Sequence, residues 1–205
     1  MTSSYVVLLP VKPPARGKSR LDVDPDRRRA LAAAFALDTA RACLAAERAT
    51  AVLAVTDDAR FADDLRVVGC ATIPDGVTDD LNESLRQAAA EAHRRWPEAR
   101  PAAVCADLPS LRPADLDQAL AAADVLPTPS FVADGDGVGT TLYTAALADF
   151  APRFGTASRR AHLEAGAREI EGALLSLRRD VDDARGLAAA EELGLGAHTR
   201  LALLS

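Results

Sequence analysis

Four cationic side chains lie within nine residues, directly after the first apolar run of the chain. They are Lys12, Arg16, Lys18 and Arg20, and Lys12 and Lys18 are the only lysines among 24 basic residues. The ammonium of lysine is a compact point charge that suits phosphate, and a loop can also bring backbone N–H groups close to an anion. The segment therefore predicts a triphosphate site, with a solvated surface turn as the alternative. It lacks the Gly-x-x-x-x-Gly-Lys spacing of a Walker A loop.

Acidic residues occur at two positions where their carboxylates could bind a metal ion. Asp107 follows an apolar run that reads as a strand, and Asp180 and Asp182 belong to a later acidic segment. In an extended segment, alternation puts Asp180 and Asp182 on the same side. Mg²⁺ typically takes one or two carboxylates together with phosphate oxygens. These residues predict a magnesium site, and ordinary acidic turns are the alternative.

Two glycine-containing segments follow the last clear apolar strand. Residues 134–141 hold three glycines and two threonines, and residues 154–158 read Phe-Gly-Thr-Ala-Ser. Such loops present N–H groups and hydroxyls to a carboxylate or a phosphate. Two ordinary glycine turns are the alternative, because neither segment is specific by itself.

The chain shows no nucleophile paired with a base. There is no Gly-x-Ser-x-Gly motif, and the three cysteines and three histidines are isolated from one another in the sequence. Covalent hydrolase chemistry is therefore disfavoured. Phosphoryl or nucleotidyl transfer remains open, because positioning, metal ions and charge neutralisation can catalyse it.

Composition narrows the class of protein further. The net charge of −6 gives no general field that attracts nucleic acid. The longest apolar run, Tyr5–Val11, is far shorter than the roughly 20 residues of a membrane span, and it lacks the flanks of a signal peptide. We therefore expect a cytoplasmic protein without nucleic-acid or membrane partners, and one domain over residues 1–205.

The elements that must position these residues alternate between short apolar runs and helical stretches. The pattern predicts strands at residues 5–11, 51–55, 70–73, 101–106, 130–133 and 173–177, and helices at 25–47, 59–65, 82–95, 113–123, 157–165 and 184–193. We expect a single-domain α/β fold, Rossmann-like, with a mostly parallel mixed sheet and helices on both faces. Ligands of such sheets bind beyond the carboxyl ends of the strands.

The order of short motifs resembles a known family. Pro-Val-Lys, Lys-Ser-Arg-Leu, Thr-Asp-Asp, Leu-Asn, Ala-Asp-Leu-Pro, Asp-Gly-x-Gly-Thr-Thr, Phe-Gly-x-x-Ser and Arg-Asp-Val-Asp follow one another between about Val6 and Gly196. This combination is similar to the guanylyltransferases of coenzyme F420 biosynthesis, which act on phosphoenolpyruvate or 2-phospho-L-lactate. The resemblance implies a single-domain nucleotidyltransferase fold that requires GTP and Mg²⁺.

The resemblance also implies roles for residues on the nucleotide side of the site. The side chains that it implies for neutralising the triphosphate are Lys12, Lys18 and Arg20. The same nucleotide-binding turn includes Pro10 and Val11. The residues expected near the guanosine are Thr56, Asp57, Asp75 and Asn82.

On the acid side, the resemblance implies that Mg²⁺ is held by Asp107 with Asp180 or Asp182. It implies that Thr140, Gly155 and Ser158 receive the carboxylate of the three-carbon substrate. Asp107 and the three cations Lys12, Lys18 and Arg20 are then the expected catalytic residues.

The reaction implied is attack of a substrate phosphate oxygen on the α-phosphorus of GTP, with pyrophosphate leaving. A further transferase would consume the activated product. The alanine- and arginine-rich composition is typical of a high-GC bacterium, which favours phosphoenolpyruvate over 2-phospho-L-lactate. A molybdopterin or sugar-phosphate nucleotidyltransferase of the same fold, and a non-catalytic nucleotide-binding regulatory module, remain alternatives.

Overall fold

A computed structural model describes residues 4–12, 23–77, 80–126 and 128–204. Seven strands form one sheet in these residues. The strands are β1 (Tyr5–Pro10), β2 (Ala49–Val55), β3 (Ala71–Ile73), β4 (Arg100–Val104), β5 (Ser130–Ala133), β6 (Thr140–Thr144) and β7 (Arg168–Glu169). The helices are α1 (Pro25–Leu44), α2 (Ala59–Val68), α3 (Leu81–Arg95), α4 (Pro113–Asp124), α5 (Ser158–Glu164), α6 (Leu175–Arg178), α7 (Ala184–Leu193) and α8 (Ala197–Leu204).

The sheet is mixed, with the strand order β3-β2-β1-β4-β6-β5-β7. β1 pairs in parallel with β2 and β4, whereas β6 is antiparallel to both of its neighbours, β4 and β5. The carboxyl ends of β1, β2, β3, β4 and β5 therefore meet at one edge, together with the amino end of β6. The predicted fold class, a mostly parallel mixed sheet in one α/β unit, is confirmed.

Alternating side chains of β1 divide the core between the two faces of the sheet. Val7 and Leu9 pack in a cluster with apolar residues of α1 and α4. Val6 and Leu8 point the other way, into a cluster with apolar residues of α3. These side chains of β1 are fully buried, as expected for a central strand covered by helices on both faces.

Asp24 and Pro25 begin α1 as the sequence predicts. The Asp24 carboxylate accepts hydrogen bonds from the backbone of Asp26 and Arg27, and proline stands at the first helical position. Among the described residues, no helix combines the length and the apolar character that crossing a membrane requires.

One predicted element was wrong, and β6, β7 and α8 were not predicted. The segment predicted as a strand at 173–177 contains a one-turn helix, α6, preceded by Leu174 in the left-handed region with φ 30°. The predicted glycine loop 134–141 ends inside a strand, β6, which was not predicted. A last helix, α8, also went unpredicted; its first turn is held by the buried Asp38 carboxylate, which accepts from the backbone N–H groups of His198 and Thr199.

Candidate active site

Three carboxylates converge at the edge of the sheet where the parallel strands end. One oxygen from each of Asp107, Asp180 and Asp182 lies within 4.8 Å of the other two. Asp107 follows β4, and the later pair follows α6. Val181, between the pair, donates its N–H to the carbonyl of Asp107 at 3.0 Å and buries its own side chain. The structure thus brings together the three residues that the sequence suggested as metal ligands.

The proximity of these carboxylates changes the acidity of one of them. The pKa of Asp180 is raised to about 7, first by burial and then by the negative charges of Asp107, Asp182 and Asp134. Like charges this close repel unless a cation lies between them. The donors are all hard carboxylate oxygens, which are the ligands that Mg²⁺ and Mn²⁺ prefer. The residues present therefore fit a divalent cation.

A buried hydroxyl supports the turn that carries Asp107. Thr39 of α1 is fully buried. Its hydroxyl donates to the carbonyl of Phe35 at 2.8 Å and accepts from the N–H of Leu108 at 3.0 Å. In the sequence, Thr39 differs from its surroundings only as a polar residue on the otherwise apolar face Leu31, Phe35 and Ala42 of the predicted helix 25–47.

The acidity of Asp180 predicts a specific pH dependence of stability. A folded-state pKa raised from 3.8 to about 7 means that the folded protein holds a proton that the unfolded chain releases. The corresponding stability is complete below about pH 4 and is lost as the pH rises through about 7. Without divalent cation, we expect the thermal midpoint to fall more between about pH 5 and about pH 8 in the wild type than in Asp180→Asn.

Thermal unfolding followed by circular dichroism, with a chelator and then with Mg²⁺, measures this effect. Burial lowers the pKa of His162 to about 4, so this residue gives both proteins a stability that rises with pH. The difference between wild type and variant therefore isolates Asp180. Added Mg²⁺ should raise the midpoint of the wild type more at the higher pH. Identical pH responses of the two proteins would show that Asp180 carries no raised pKa.

The glycine-rich loop between β5 and β6 is organised by Asp134. Its carboxylate accepts hydrogen bonds from the N–H of Val138 at 2.9 Å and of Gly139 at 2.7 Å. A Cβ at position 139 would overlap that carboxylate, which explains why glycine stands there. At the other end, Gly135 donates its N–H to the carbonyl of Arg178 at 2.7 Å. The loop is thereby fixed just before Thr140, at the same sheet edge as the acidic cluster.

Behind Thr140 lies a histidine that the sequence did not single out. The Thr140 hydroxyl is 3.0 Å from Nδ1 of His162, and Nε2 of the same ring accepts the N–H of Arg153 at 2.9 Å. The ring is stacked against Phe131 and Tyr143, with centroid distances of 5.3 and 4.8 Å. Burial lowers the pKa of His162 to about 4. A lone histidine in the sequence carries no signal of such a network.

The segment 151–156 faces α3 across a cleft of about 470 Å³. Asn82, in the first turn of α3, donates its Nδ2–H to the carbonyl of Phe154 at 3.0 Å and accepts the N–H of Phe154 at 2.7 Å. Gly155 follows with φ 136° and Ala157 with φ 55°. Both lie in the left-handed region, which is costly for alanine. Asn82 therefore fixes a strained loop that leads to Ser158, the first residue of α5.

Most residues predicted for the nucleotide side lie at or just beyond the carboxyl ends of β1, β2 and β3, whereas Asn82, predicted for the same side, binds the backbone of Phe154. Val11 donates its N–H to the carbonyl of Val55 at 2.8 Å, and the exposed Lys12 directly follows Val11. The carboxylate of Asp57 accepts the N–H of Asp75 at 2.9 Å. Pro10 is the last residue of β1 and pairs with Val55. Lys18 and Arg20 lie outside the described residues, and the ligand contacts of all these residues remain predictions.

Sequence comparisons identify relatives along nearly the whole chain. A family described as "Guanylyl transferase CofC like" matches residues 5–182. A phosphoenolpyruvate guanylyltransferase of Thermomonospora curvata is 46% identical over 200 residues, covering 96% of this chain and 87% of the relative. One of Streptomyces coelicolor is 43% identical over 199 residues, covering 95% and 93%.

Solved structures share the fold at much lower identity. A putative nucleotide-diphospho-sugar transferase of Desulfovibrio desulfuricans superposes with a TM-score of 0.63 at 17% identity, covering 93% of this chain and 96% of the other. The manganese complex of Rv0371C of Mycobacterium tuberculosis superposes with a TM-score of 0.55 at 19% identity, covering 93% and 100%. At these identities the likeness concerns the fold alone.

Proposed function

Because the chain belongs to the guanylyl transferase CofC-like family, we propose that it transfers GMP from GTP to phosphoenolpyruvate and releases pyrophosphate. The observation that carries this proposal is the identity of 46% and 43% to two phosphoenolpyruvate guanylyltransferases over nearly the full chain. The product, an enolpyruvate linked to guanosine diphosphate, is then consumed by a further transferase of coenzyme F420 biosynthesis.

In the proposed reaction, a phosphate oxygen of phosphoenolpyruvate forms a bond to the α-phosphorus of GTP. The bond from the α-phosphorus to the oxygen that bridges the α- and β-phosphates breaks, and its electron pair leaves with pyrophosphate. The attacking phosphate is already an anion near neutral pH, so no side chain has to remove a proton. The main barrier is the repulsion between two polyanions, which positioned cations must offset.

Residues of this chain are assigned to two walls of the site. On the nucleotide wall, Lys12 at the end of β1 neutralises the triphosphate, together with Lys18 and Arg20. On the acid wall, the hydroxyl of Thr140, the backbone of Gly155 and Ser158 receive the carboxylate. The hydrogen bonds between Asn82 and Phe154 and between Asp134 and Gly139 fix the loops that form this wall.

Asp107, Asp180 and Asp182 are the residues proposed to hold a divalent cation between the two walls. The fit rests on three oxygen donors within 4.8 Å of one another, and a protein with the same fold has been solved with manganese. We propose Mg²⁺, which supplies Lewis-acid and charge-neutralising chemistry at the phosphates when bound. Without it, burial and then the negative charges of the neighbouring carboxylates raise the pKa of Asp180.

Turnover with defined substrates tests the proposal. The protein, GTP and Mg²⁺ are combined with phosphoenolpyruvate or 2-phospho-L-lactate, and pyrophosphate release is followed while the product is identified by ³¹P NMR. We expect kcat/KM for phosphoenolpyruvate to exceed that for 2-phospho-L-lactate by about 10-fold, the scale on which a pocket discriminates small shape differences. ATP in place of GTP, and a sugar 1-phosphate in place of the acid, serve as controls.

Three outcomes of this experiment would contradict different parts of the proposal. Equal or faster turnover with 2-phospho-L-lactate would reassign the acid substrate. Turnover only with the sugar 1-phosphate would reassign the enzyme within the same fold. Absence of turnover with every combination, despite nucleotide binding, would identify a binding module instead of an enzyme.

A further inference from the structure

His162 occupies a position that the proposed mechanism leaves unused. Its side chain is fully buried, and it lies between the rings of Phe131 and Tyr143 with Phe154 at its edge. The ring contacts both parts of the proposed acid wall. One nitrogen faces Thr140 of β6, and the other faces the backbone of Arg153, two residues before Gly155.

The hydrogen bonds of the ring determine its tautomer. The backbone N–H of Arg153 can only donate, so Nε2, at 2.9 Å, must accept and cannot carry a proton. A neutral imidazole then carries its one proton on Nδ1. Burial and the nearby positive charge of Arg153 both lower the pKa of His162, although a hydrogen bond with the backbone of Ser158 opposes them. The ring is thus neutral at physiological pH, with Nδ1–H as the donor.

This tautomer decides what the hydroxyl of Thr140 can do. Since Nδ1, 3.0 Å from the Thr140 oxygen, carries the proton, it cannot accept a hydrogen bond from the Thr140 hydroxyl. The hydroxyl hydrogen must then point away from the histidine. Within the described part of the chain, no other hydrogen bond involves this hydroxyl, so its hydrogen remains available to an anion in the site.

We propose that His162 is a positioning residue for the acid substrate. One ring nitrogen turns the hydroxyl hydrogen of Thr140 toward the substrate carboxylate, and the other fixes the Arg153–Gly155 backbone. The inference rests on the proposed function, because it takes Thr140 as a contact of the acid. His162 acts only through Thr140 and the loop. It is not a general base, since both ring nitrogens are engaged and the ring is buried.

Two substitutions separate the two hydrogen bonds. In His162→Asn, the side-chain amide reaches about as far as Nδ1 and keeps a donor for Thr140. In His162→Gln, the amide reaches the place of Nε2 and keeps an acceptor for Arg153 but loses the donor. We expect His162→Gln to raise the KM for phosphoenolpyruvate by about 10-fold, as for loss of one oriented hydrogen bond to a charged group. The KM for GTP should stay within about twofold, and His162→Asn should recover most of the loss.

A double-mutant cycle distinguishes positioning from a merely structural role. Thr140→Val removes the hydroxyl that His162 is proposed to orient, so adding His162→Gln to it should raise the KM for the acid little further. Additive effects of the two substitutions would overturn the proposal. A lower kcat with unchanged KM values for GTP and for the acid would also overturn it. His93→Gln, on the exposed surface of α3, controls for the loss of an imidazole.

The tautomer can be measured without any substrate. Two-dimensional ¹H–¹⁵N spectra of histidine-labelled protein near neutral pH should show His162 as the neutral Nδ1–H form. An Nε2–H tautomer, or a charged ring near pH 6, would overturn the proposal even in an active enzyme. A wild type that turns over neither acid would instead contradict the proposed function, and this outcome is distinguishable because the tautomer spectrum is independent of turnover.

Discussion

Replacing Asp107 with asparagine is expected to lower kcat by at least about 100-fold without unfolding the protein. Loss of residues that merely support a metal ligand costs about 10- to 100-fold, so loss of a ligand should cost at least the upper end. Asparagine keeps the shape, and the backbone carbonyl of Asp107 that accepts from Val181 is unaffected. The loss should therefore appear in turnover and in metal affinity, measured by pyrophosphate release and by calorimetric titration with Mg²⁺ or Mn²⁺.

Asp63→Asn is the matched control for this substitution. Asp63 lies on the exposed face of α2, where it pairs with Arg66, and exposed pairs of this kind contribute little. The same change of charge is made there, outside the acidic cluster. Retention of near wild-type turnover by Asp107→Asn would exclude the cluster from catalysis. If Asp107→Asn lost turnover but kept the metal affinity of the wild type, Asp107 would act on substrate instead.

Replacing Asn82 with leucine is expected to weaken both the fold and the binding of the acid. The substitution leaves the N–H and the carbonyl of Phe154 without their side-chain partners. An orphaned, partly buried backbone group costs about 1–3 kcal/mol, so we expect the free energy of unfolding to fall by about that amount. Because Gly155 and Ala157 hold left-handed conformations only with support, the KM for phosphoenolpyruvate should also rise about 10-fold.

Gln87→Leu is the control for this change. Gln87 is an amide on the same helix, but it is exposed, and among the described residues it donates only to the side chain of Glu83. Urea unfolding and steady-state kinetics with each substrate varied in turn measure the two effects. A rise confined to the KM for GTP, with unchanged stability, would contradict the role in the loop. That outcome would support the contact with guanosine that the sequence resemblance implies for Asn82.

The sequence predicts those parts of the fold whose signals are local. Tyr5–Pro10 is a continuous apolar run, and Asp24-Pro25 is a strong start of a helix, so β1 and α1 are found within a few residues. The strand β6 was missed because its first residues complete a glycine-rich motif, and its pairing with β4 and β5 is a tertiary property. The apolar residues Ala173–Leu177 suit a strand or a helix equally. The contacts of Ser176 with Asp115 of α4 favour the helical turn.

In the candidate site, too, the residues with local signals could be predicted and those that depend on tertiary contacts could not. Asp107, Asp180 and Asp182 could be grouped because a strand end and an alternating segment are visible in the sequence, and the structure places their carboxylates together. The residues that hold the site were not predicted. Thr39 and His162 work through partners that are 69 and 22 residues away in the chain. Pairings at such distances depend on the finished packing and leave no local pattern.

The separation of the carboxylates also has a consequence for how the protein matures. Asp107 and Asp180 are 73 residues apart, from the difference of their numbers, and Val181 is held by the apolar cluster that Leu31 and Phe35 of α1 form with α7. During synthesis the amino-terminal strands emerge first, and the proposed cation site cannot form until the segment with Asp180 and Asp182 has docked on the first helix. Binding of a divalent cation at the proposed site would thus report that the segment with Asp180 and Asp182 has docked, and a protein truncated before α6 would contain all seven strands but lack both of these carboxylates.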